Sequence, residues 1–127
     1  MQIMIRILVV DDDLNICNLL NEFLINLGYD VRVTKDGISA IETFRQFSPH
    51  IILLDVILPD MNGVEILRKI REYDKHVRIS MISGMHDLRV AKDAIQLGAV
   101  DYISKPFELD YIEEYIKGEV KEVLGTD

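Results

Sequence analysis

The sequence predicts an α/β fold in which five parallel strands form a doubly wound sheet covered by helices on both faces. Three observations predict it. Short apolar runs alternate five times with segments whose apolar residues recur every three or four positions, the pattern of strands joined by crossover helices. The central run, read as His50 to Leu54, is apolar on both faces, as a strand buried between two helix layers requires. Acidic, hydroxyl and basic residues gather just after the apolar runs, at the strand ends where open parallel sheets bind their ligands.

Taken in order, Ile5 to Val10 forms the first strand. Ile16, Leu19, Leu20, Phe23, Leu24 and Leu27 keep the spacing of one helix face, and Gly28 ends that helix. Tyr29 to Thr34 reads as the second strand and Lys35-Asp36-Gly37 as a turn. Ala40, Ile41, Phe44 and Phe47 line the second helix, which Ser48-Pro49 halts because the residue before a proline is pushed away from helical geometry. His50 to Leu54 then delivers Asp55 at its carboxyl end. A third helix follows Gly63 with Val64, Leu67 and Ile70 inward, and Val77 to Ile82 makes the fourth strand, with Ser83 at its end. The fourth helix, roughly Asp87 to Leu97, has a weaker stripe of Leu88, Ala91, Ala94 and Ile95, so a lower local stability is expected there. Ala99 to Ser104 gives the fifth strand, Lys105-Pro106 the punctuation, and Leu109, Ile112, Ile116, Val120 and Val123 the last helix face.

At 127 residues, 49% of them hydrophobic, the chain is long enough to bury one core without disulfides, so a single domain over residues 1–127 is expected. Cys17 is the single cysteine and falls within an apolar helical stripe, which predicts a core thiol rather than redox chemistry. No apolar run approaches the roughly 20 residues that cross a bilayer, and MQIMIRILVV leads into acids without a small-residue cleavage site. A soluble cytoplasmic protein with no membrane partner is expected. A net charge of -8 without any basic patch argues against direct binding to nucleic acid.

The residues after the predicted strands are Asp11, Asp12 and Asp13, then Asp55, Ser83 and Lys105. Grouped carboxylates are hard oxygen ligands for Mg²⁺, while a hydroxyl and an ammonium suit phosphoryl oxygens. Carboxylates about 5 Å apart repel by roughly 3 kcal/mol per pair at an effective dielectric near 20, and a dication relieves that strain.

The segments VVDDD at 9–13, LLDVILPDMNG at 53–63 and DYISKPF at 101–107 resemble the three signatures of response-regulator receiver domains of two-component signal transduction. The resemblance spans the chain. It implies a flavodoxin-like (βα)5 receiver fold with strand order 2-1-3-4-5. It also implies a phosphoacceptor role for Asp55, reached by in-line attack on a phosphohistidine. Asp11 and Asp12 correspond to the acidic pair that holds Mg²⁺ or Mn²⁺, Asp12 directly and Asp11 mainly through water, with the backbone carbonyl of Ile57 completing the protein's share. Ser83 and the backbone of Gly84 would contact the phosphoryl group, Lys105 would pair with it, and Ser83 with Tyr102 would form a switch that moves the surface of the fourth helix, fifth strand and fifth helix. Implied partners are a sensor histidine kinase or histidine phosphotransfer protein, a downstream output domain or protein, and a second copy through that same surface. Such a domain catalyses only its own phosphorylation and a slow autodephosphorylation, so it is not otherwise an enzyme. Kinase docking is implied at the first helix and the loop after the fifth strand.

The departures are Ser83 and Gly84, of which the glycine loosens the loop, together with Ile57 and Met85. Both of the last two occupy positions that flank the phosphoryl group in the family. Being apolar, they cannot orient an attacking water, so a slowly decaying phosphoaspartate is expected. Bland readings stand beside these. Aspartates after a strand also cap helices, the expected role of Asp13, a serine there is often a loop hydroxyl, and an aromatic such as Tyr102 is often packing surface. Two competing functions are a haloacid-dehalogenase-like phosphatase using Asp11 as nucleophile, and a degenerate receiver that only binds proteins. The chain ends just past the last predicted helix, which fits either a stand-alone receiver or a piece of a longer regulator.

Overall fold

The computed structural model describes residues 3–84 and 87–125. Five strands alternate with five helices: β1 (Arg6–Val10), α1 (Leu14–Asn26), β2 (Asp30–Thr34), α2 (Gly37–Phe47), β3 (Ile51–Leu54), α3 (Gly63–Tyr73), β4 (Arg78–Ser83), α4 (Leu88–Gln96), β5 (Asp101–Ser104) and α5 (Leu109–Leu124). All strands are parallel, in the order β2-β1-β3-β4-β5. The expected fold and strand order are therefore found. Because the order reverses at β1, the carboxyl ends of β1 and β3 diverge into connections on opposite sides, which opens a crevice between them.

Strand alternation builds two cores from one sheet, since neighbouring side chains point to opposite faces. Leu8, Val10, Ile52, Leu54, Ile79 and Met81 pack toward the helices α2 and α3 through Phe44, Ile66, Leu67 and Ile70. Ile7, Val9, Ile51, Leu53, Ile82 and Ile103 pack toward α1 and α5 through Leu20, Leu24, Ile112 and Ile116. Helix starts are set by short acidic or amide side chains: Asp13, Asp36, Asn62 and Asp87 each accept a backbone N–H in the first turn that no helical carbonyl can reach. Gly28, at φ +99°, follows α1, and Ser48 takes a left-handed φ of 49° to end α2 before Pro49. Among the described residues no helix is long and apolar enough to cross a membrane.

Some inward faces differ from expectation. Leu19 is half exposed, whereas Cys17, expected as a core thiol, is indeed buried on α1. Ile66 rather than Val64 is fully buried on α3. On α4, Leu88 is 86% exposed and Ile95 is largely exposed, while the inward residues are Val90, Ala94 and Leu97, of which only Ala94 is fully buried. The weak attachment expected for α4 thus holds, with Ala94 inward as expected and Val90 and Leu97 in place of Leu88 and Ile95. Helix α5 adds polar ties to its apolar face: Arg78 Nε donates to Glu119 Oε2 at 2.7 Å, and the Ser80 and Tyr115 hydroxyls lie 2.5 Å apart.

Candidate functional site

Backbone bonds beyond the strands carry the site residues into register. Asp11 N–H donates to the Thr34 carbonyl, Asp55 N–H to Val10 and Lys105 N–H to Ser83, so each loop leaves the sheet in a fixed direction. Asp11 and Asp55 are buried and Asp12 is exposed, and carboxylate oxygens of all three lie within 4.8 Å of one another. The Lys105 ammonium bridges the two buried members, at 2.6 Å from Asp11 Oδ2 and 3.1 Å from Asp55 Oδ2. The remaining oxygens are also engaged: Asp11 Oδ1 accepts the Asp13 N–H at 2.9 Å, and Asp55 Oδ1 accepts the Ile57 N–H at 3.4 Å.

Electrostatics follow from this crowding. Burial, followed by the Asp11 charge, raises the Asp55 carboxyl above its ordinary value, against the pull of Lys105 and the Ile57 N–H. Burial works against the Lys105 ammonium, but its bonds and charge interactions with Asp11 and Asp55 leave it raised. One ammonium thus partly compensates two buried carboxylates, and the exposed Asp12 leaves the cluster net negative. Three carboxylates at this spacing form an all-oxygen donor set that fits a hard dication.

The other expected residues lie around this cluster. Ser83 is buried at the end of β4, and Gly84 is exposed just beyond it. Ile57 lies in the β3–α3 loop, residues 55–62, and is 58% exposed. Tyr102 is half-buried on β5, packed against the core face that includes Ala94. Met85 lies outside the described residues. Asp13 caps α1, accepting the Asn15 N–H at 2.9 Å and the Ile16 N–H at 3.4 Å. Cys17 is a core thiol whose Sγ donates to the Asp11 carbonyl at 2.9 Å. Burial and the Asp11 charge push that thiol up to about 11, which keeps it protonated and inert at neutral pH.

Two contacts were not foreseen from the sequence. Asp60 reaches from the β3–α3 loop to the N-terminus of α2. Gly63 approaches the main chain of Asp55 so closely that a Cβ there would lie 2.0 Å from the Asp55 carbonyl oxygen. Both residues lie in the LLDVILPDMNG segment that carries the family resemblance, but their contacts are not legible there: the partners of Asp60 are 23 and 22 residues away, and nothing local marks the approach of Gly63 to Asp55.

Residues 7–117 match the family model described as the response regulator receiver domain. The chemotaxis protein CheY of Bacillus subtilis is 36% identical over 112 residues, which cover 87% of this chain and 93% of that protein. The transcriptional regulatory protein TrcR of Mycobacterium tuberculosis is 36% identical over 114 residues, 90% of this chain but only 44% of TrcR. Among solved structures, a CheY-like response regulator receiver domain protein from Methanospirillum hungatei JF-1 superposes with a TM-score of 0.94 at 28% identity, covering 97% of this chain and 98% of that one. Fold, strand-end chemistry and sequence similarity agree, and the chain belongs to the response regulator receiver domain family.

Proposed function

We propose that residues 1–127 act as one receiver domain that accepts a phosphoryl group on Asp55 from the phosphohistidine of a sensor histidine kinase or histidine phosphotransfer protein. The observation that carries this reading is the meeting of Asp11, Asp12, Asp55 and Lys105 at a single strand edge. Asp11, Asp12, Asp55 and the Ile57 carbonyl would hold Mg²⁺ or Mn²⁺, which supplies neutralisation of the carboxylates and of the incoming phosphoryl charge. An Asp55 carboxylate oxygen forms the new O–P bond as the donor's P–N bond breaks and the imidazole leaves with its electron pair. Lys105 is already within hydrogen-bonding distance of Asp55 and stays protonated to pair with the added charge.

Ser83, at the buried end of β4, contacts a phosphoryl oxygen in this reading, as does the backbone of Gly84. The switch then runs through Ser83 and Tyr102 to the α4–β5–α5 surface. Support comes from the thin anchoring of α4, which has one fully buried residue, and from the exposed Leu88, Ile95 and Tyr111 on α4 and α5. That surface is the proposed contact with an output domain, a partner protein or a second copy. Among the relatives, CheY is matched over nearly its whole length and TrcR over less than half. Both a stand-alone and a multidomain arrangement are thus represented. The net charge of -8 favours protein partners over direct nucleic-acid contact.

The test is to incubate the chain with a small phosphoramidate donor and Mg²⁺, then map the hydroxylamine-sensitive acylphosphate. Label on Asp55 is expected. Label on Asp11 would instead indicate a phosphatase-type nucleophile, and no label together with no response to beryllofluoride would leave only a protein-binding module. A second expected result concerns lifetime. With an apolar Ile57 in the β3–α3 loop, the phosphoaspartate should persist for minutes or longer in Mg²⁺ alone, and Ile57→Asn should shorten it several-fold. Decay within seconds, or no gain from the variant, would contradict this.

A further inference from the structure

The β3–α3 loop carries both Asp55 and Ile57, and its far side is fastened to α2 by a residue outside the carboxylate cluster. Asp60 accepts the Gly37 N–H through Oδ1 at 2.7 Å and the Ile38 N–H through Oδ2 at 3.1 Å. These are first-turn donors that the helix itself leaves without partners. The helix already has its own cap, since Asp36 accepts the Ser39 N–H at 2.8 Å and its hydroxyl at 3.2 Å. A second carboxylate arriving from another loop therefore does more than start α2.

Neighbouring geometry points the same way. Gly37 is buried beneath Met61, and a Cβ at Gly37 would lie 2.6 Å from the Met61 Sδ and 2.9 Å from its Cβ and Cγ. Bare backbone at Gly37 is what lets the loop tip settle onto the helix. Behind the tip, Ile57 and Asn62 form an isolated antiparallel bridge, and Gly63 N–H donates to the Val56 carbonyl at 2.6 Å. The loop is thus folded on itself at its base and held at its tip by Asp60 and Met61. The hydrogen bond from Gly37 also holds the Asp60 carboxyl below its ordinary range, so it stays ionised as an acceptor at neutral pH.

We propose that Asp60 is a positioning residue for the metal-dependent reaction: by clamping the loop tip to α2, it holds the Ile57 carbonyl and the Asp55 main chain in the course that completes a cation shell. This rests on the receiver reading given above. Its own bonds go to α2 and not to Asp11, Asp12 or Asp55, so its effect reaches the cation through the loop. Residues that orient ligands from outside the coordination shell typically change metal affinity by about 10- to 100-fold when removed.

The experiment measures Mn²⁺ affinity of the full chain by electron paramagnetic resonance, with melting curves alongside, for wild type, Asp60→Ala, Asp60→Asn and Asp36→Ala. Asp60→Ala should weaken Mn²⁺ about tenfold. Asp60→Asn should fall between, because its amide keeps one acceptor but presents N–H₂ to the second donor. Asp36→Ala removes the local cap of the same helix without touching the loop, so it should lower the melting temperature while leaving Mn²⁺ affinity unchanged. If both alanine variants lower melting and neither changes Mn²⁺ affinity, Asp60 is only a helix cap and the inference falls. If wild type binds no Mn²⁺, the receiver reading falls and takes this one with it.

Discussion

Asp55→Asn is expected to abolish acylphosphate formation and, in the same protein, to stabilise the metal-free chain by about 1–2 kcal/mol at neutral pH. Asp55 is buried, and burial together with Asp11 raises its carboxyl above the ordinary value. A group whose folded pKa is raised binds its proton more tightly in the folded chain. Its favourable contribution is present below the ordinary carboxylate range and is lost as pH rises through the raised value. At neutral pH the ionised Asp55 therefore weakens the fold. A like pair about 5 Å apart repels by roughly 3 kcal/mol at an effective dielectric near 20, and Lys105 offsets part of this. Asparagine removes the charge and keeps the shape. Urea denaturation with chelator should show the variant ahead at pH 7, with the gap closing toward pH 4. In saturating Mg²⁺ the order should narrow or reverse, because only the wild type offers the full carboxylate set to the ion. A variant no more stable than wild type at neutral pH, or a gap that widens with acid, would show that Asp55 is not strained in the empty cluster.

The same contrast between local and distant causes explains what the sequence made legible. Strands β1 and β3 announce themselves because burial on both faces demands nearly uninterrupted apolar residues, and β4 keeps most of that pattern around the buried Ser80; Asp11, Asp55 and Ser83 mark their carboxyl ends. The bridging of Asp11 and Asp55 by Lys105 links residues 94 and 50 positions apart, so the sequence supports it only through the rule that strand ends converge, together with the family resemblance. Helix α4 misled because it has two apolar stripes. Leu88, Ala91, Ala94 and Ile95 satisfy helical spacing as well as Val90, Ala94 and Leu97 do, Ala94 belonging to both, and the choice is made by which side the sheet presents. Leu19 is similar: it continues the α1 period but lies at the flank, while Cys17 faces inward. The contacts of Asp60 and Glu119 were invisible for a further reason. Exposed-looking acids carry no period, and their partners Gly37 and Arg78 are set by tertiary structure.

Gly63→Ala is expected to cost on the order of 3–5 kcal/mol of stability and to cut the rate of Asp55 labelling sharply in whatever fraction folds. The cause is not backbone freedom, since the glycines with positive φ are Gly28, Gly98 and Gly125. It is close approach: a Cβ at Gly63 would lie 2.0 Å from the Asp55 carbonyl oxygen and 2.9 Å from the Asp55 carbonyl carbon and the Val56 Cα. All three atoms are main chain, so no rotamer change relieves the contact. Either α3 must retreat or the Asp55 peptide must turn. The first breaks the Gly63 N–H bond to Val56 and pulls on the buried Ile66 and Leu67; the second swings the Asp55 carboxylate away from Lys105. Stability and labelling should therefore fall together, unlike Asp55→Asn, where they move in opposite directions. Gly84 supplies the control on the other side of the site. A Cβ there meets nothing within 4 Å, so Gly84→Ala should leave the melting temperature nearly unchanged. Near-wild-type stability and labelling in Gly63→Ala would mean that the β3–α3 loop yields easily and does not hold Asp55 rigidly.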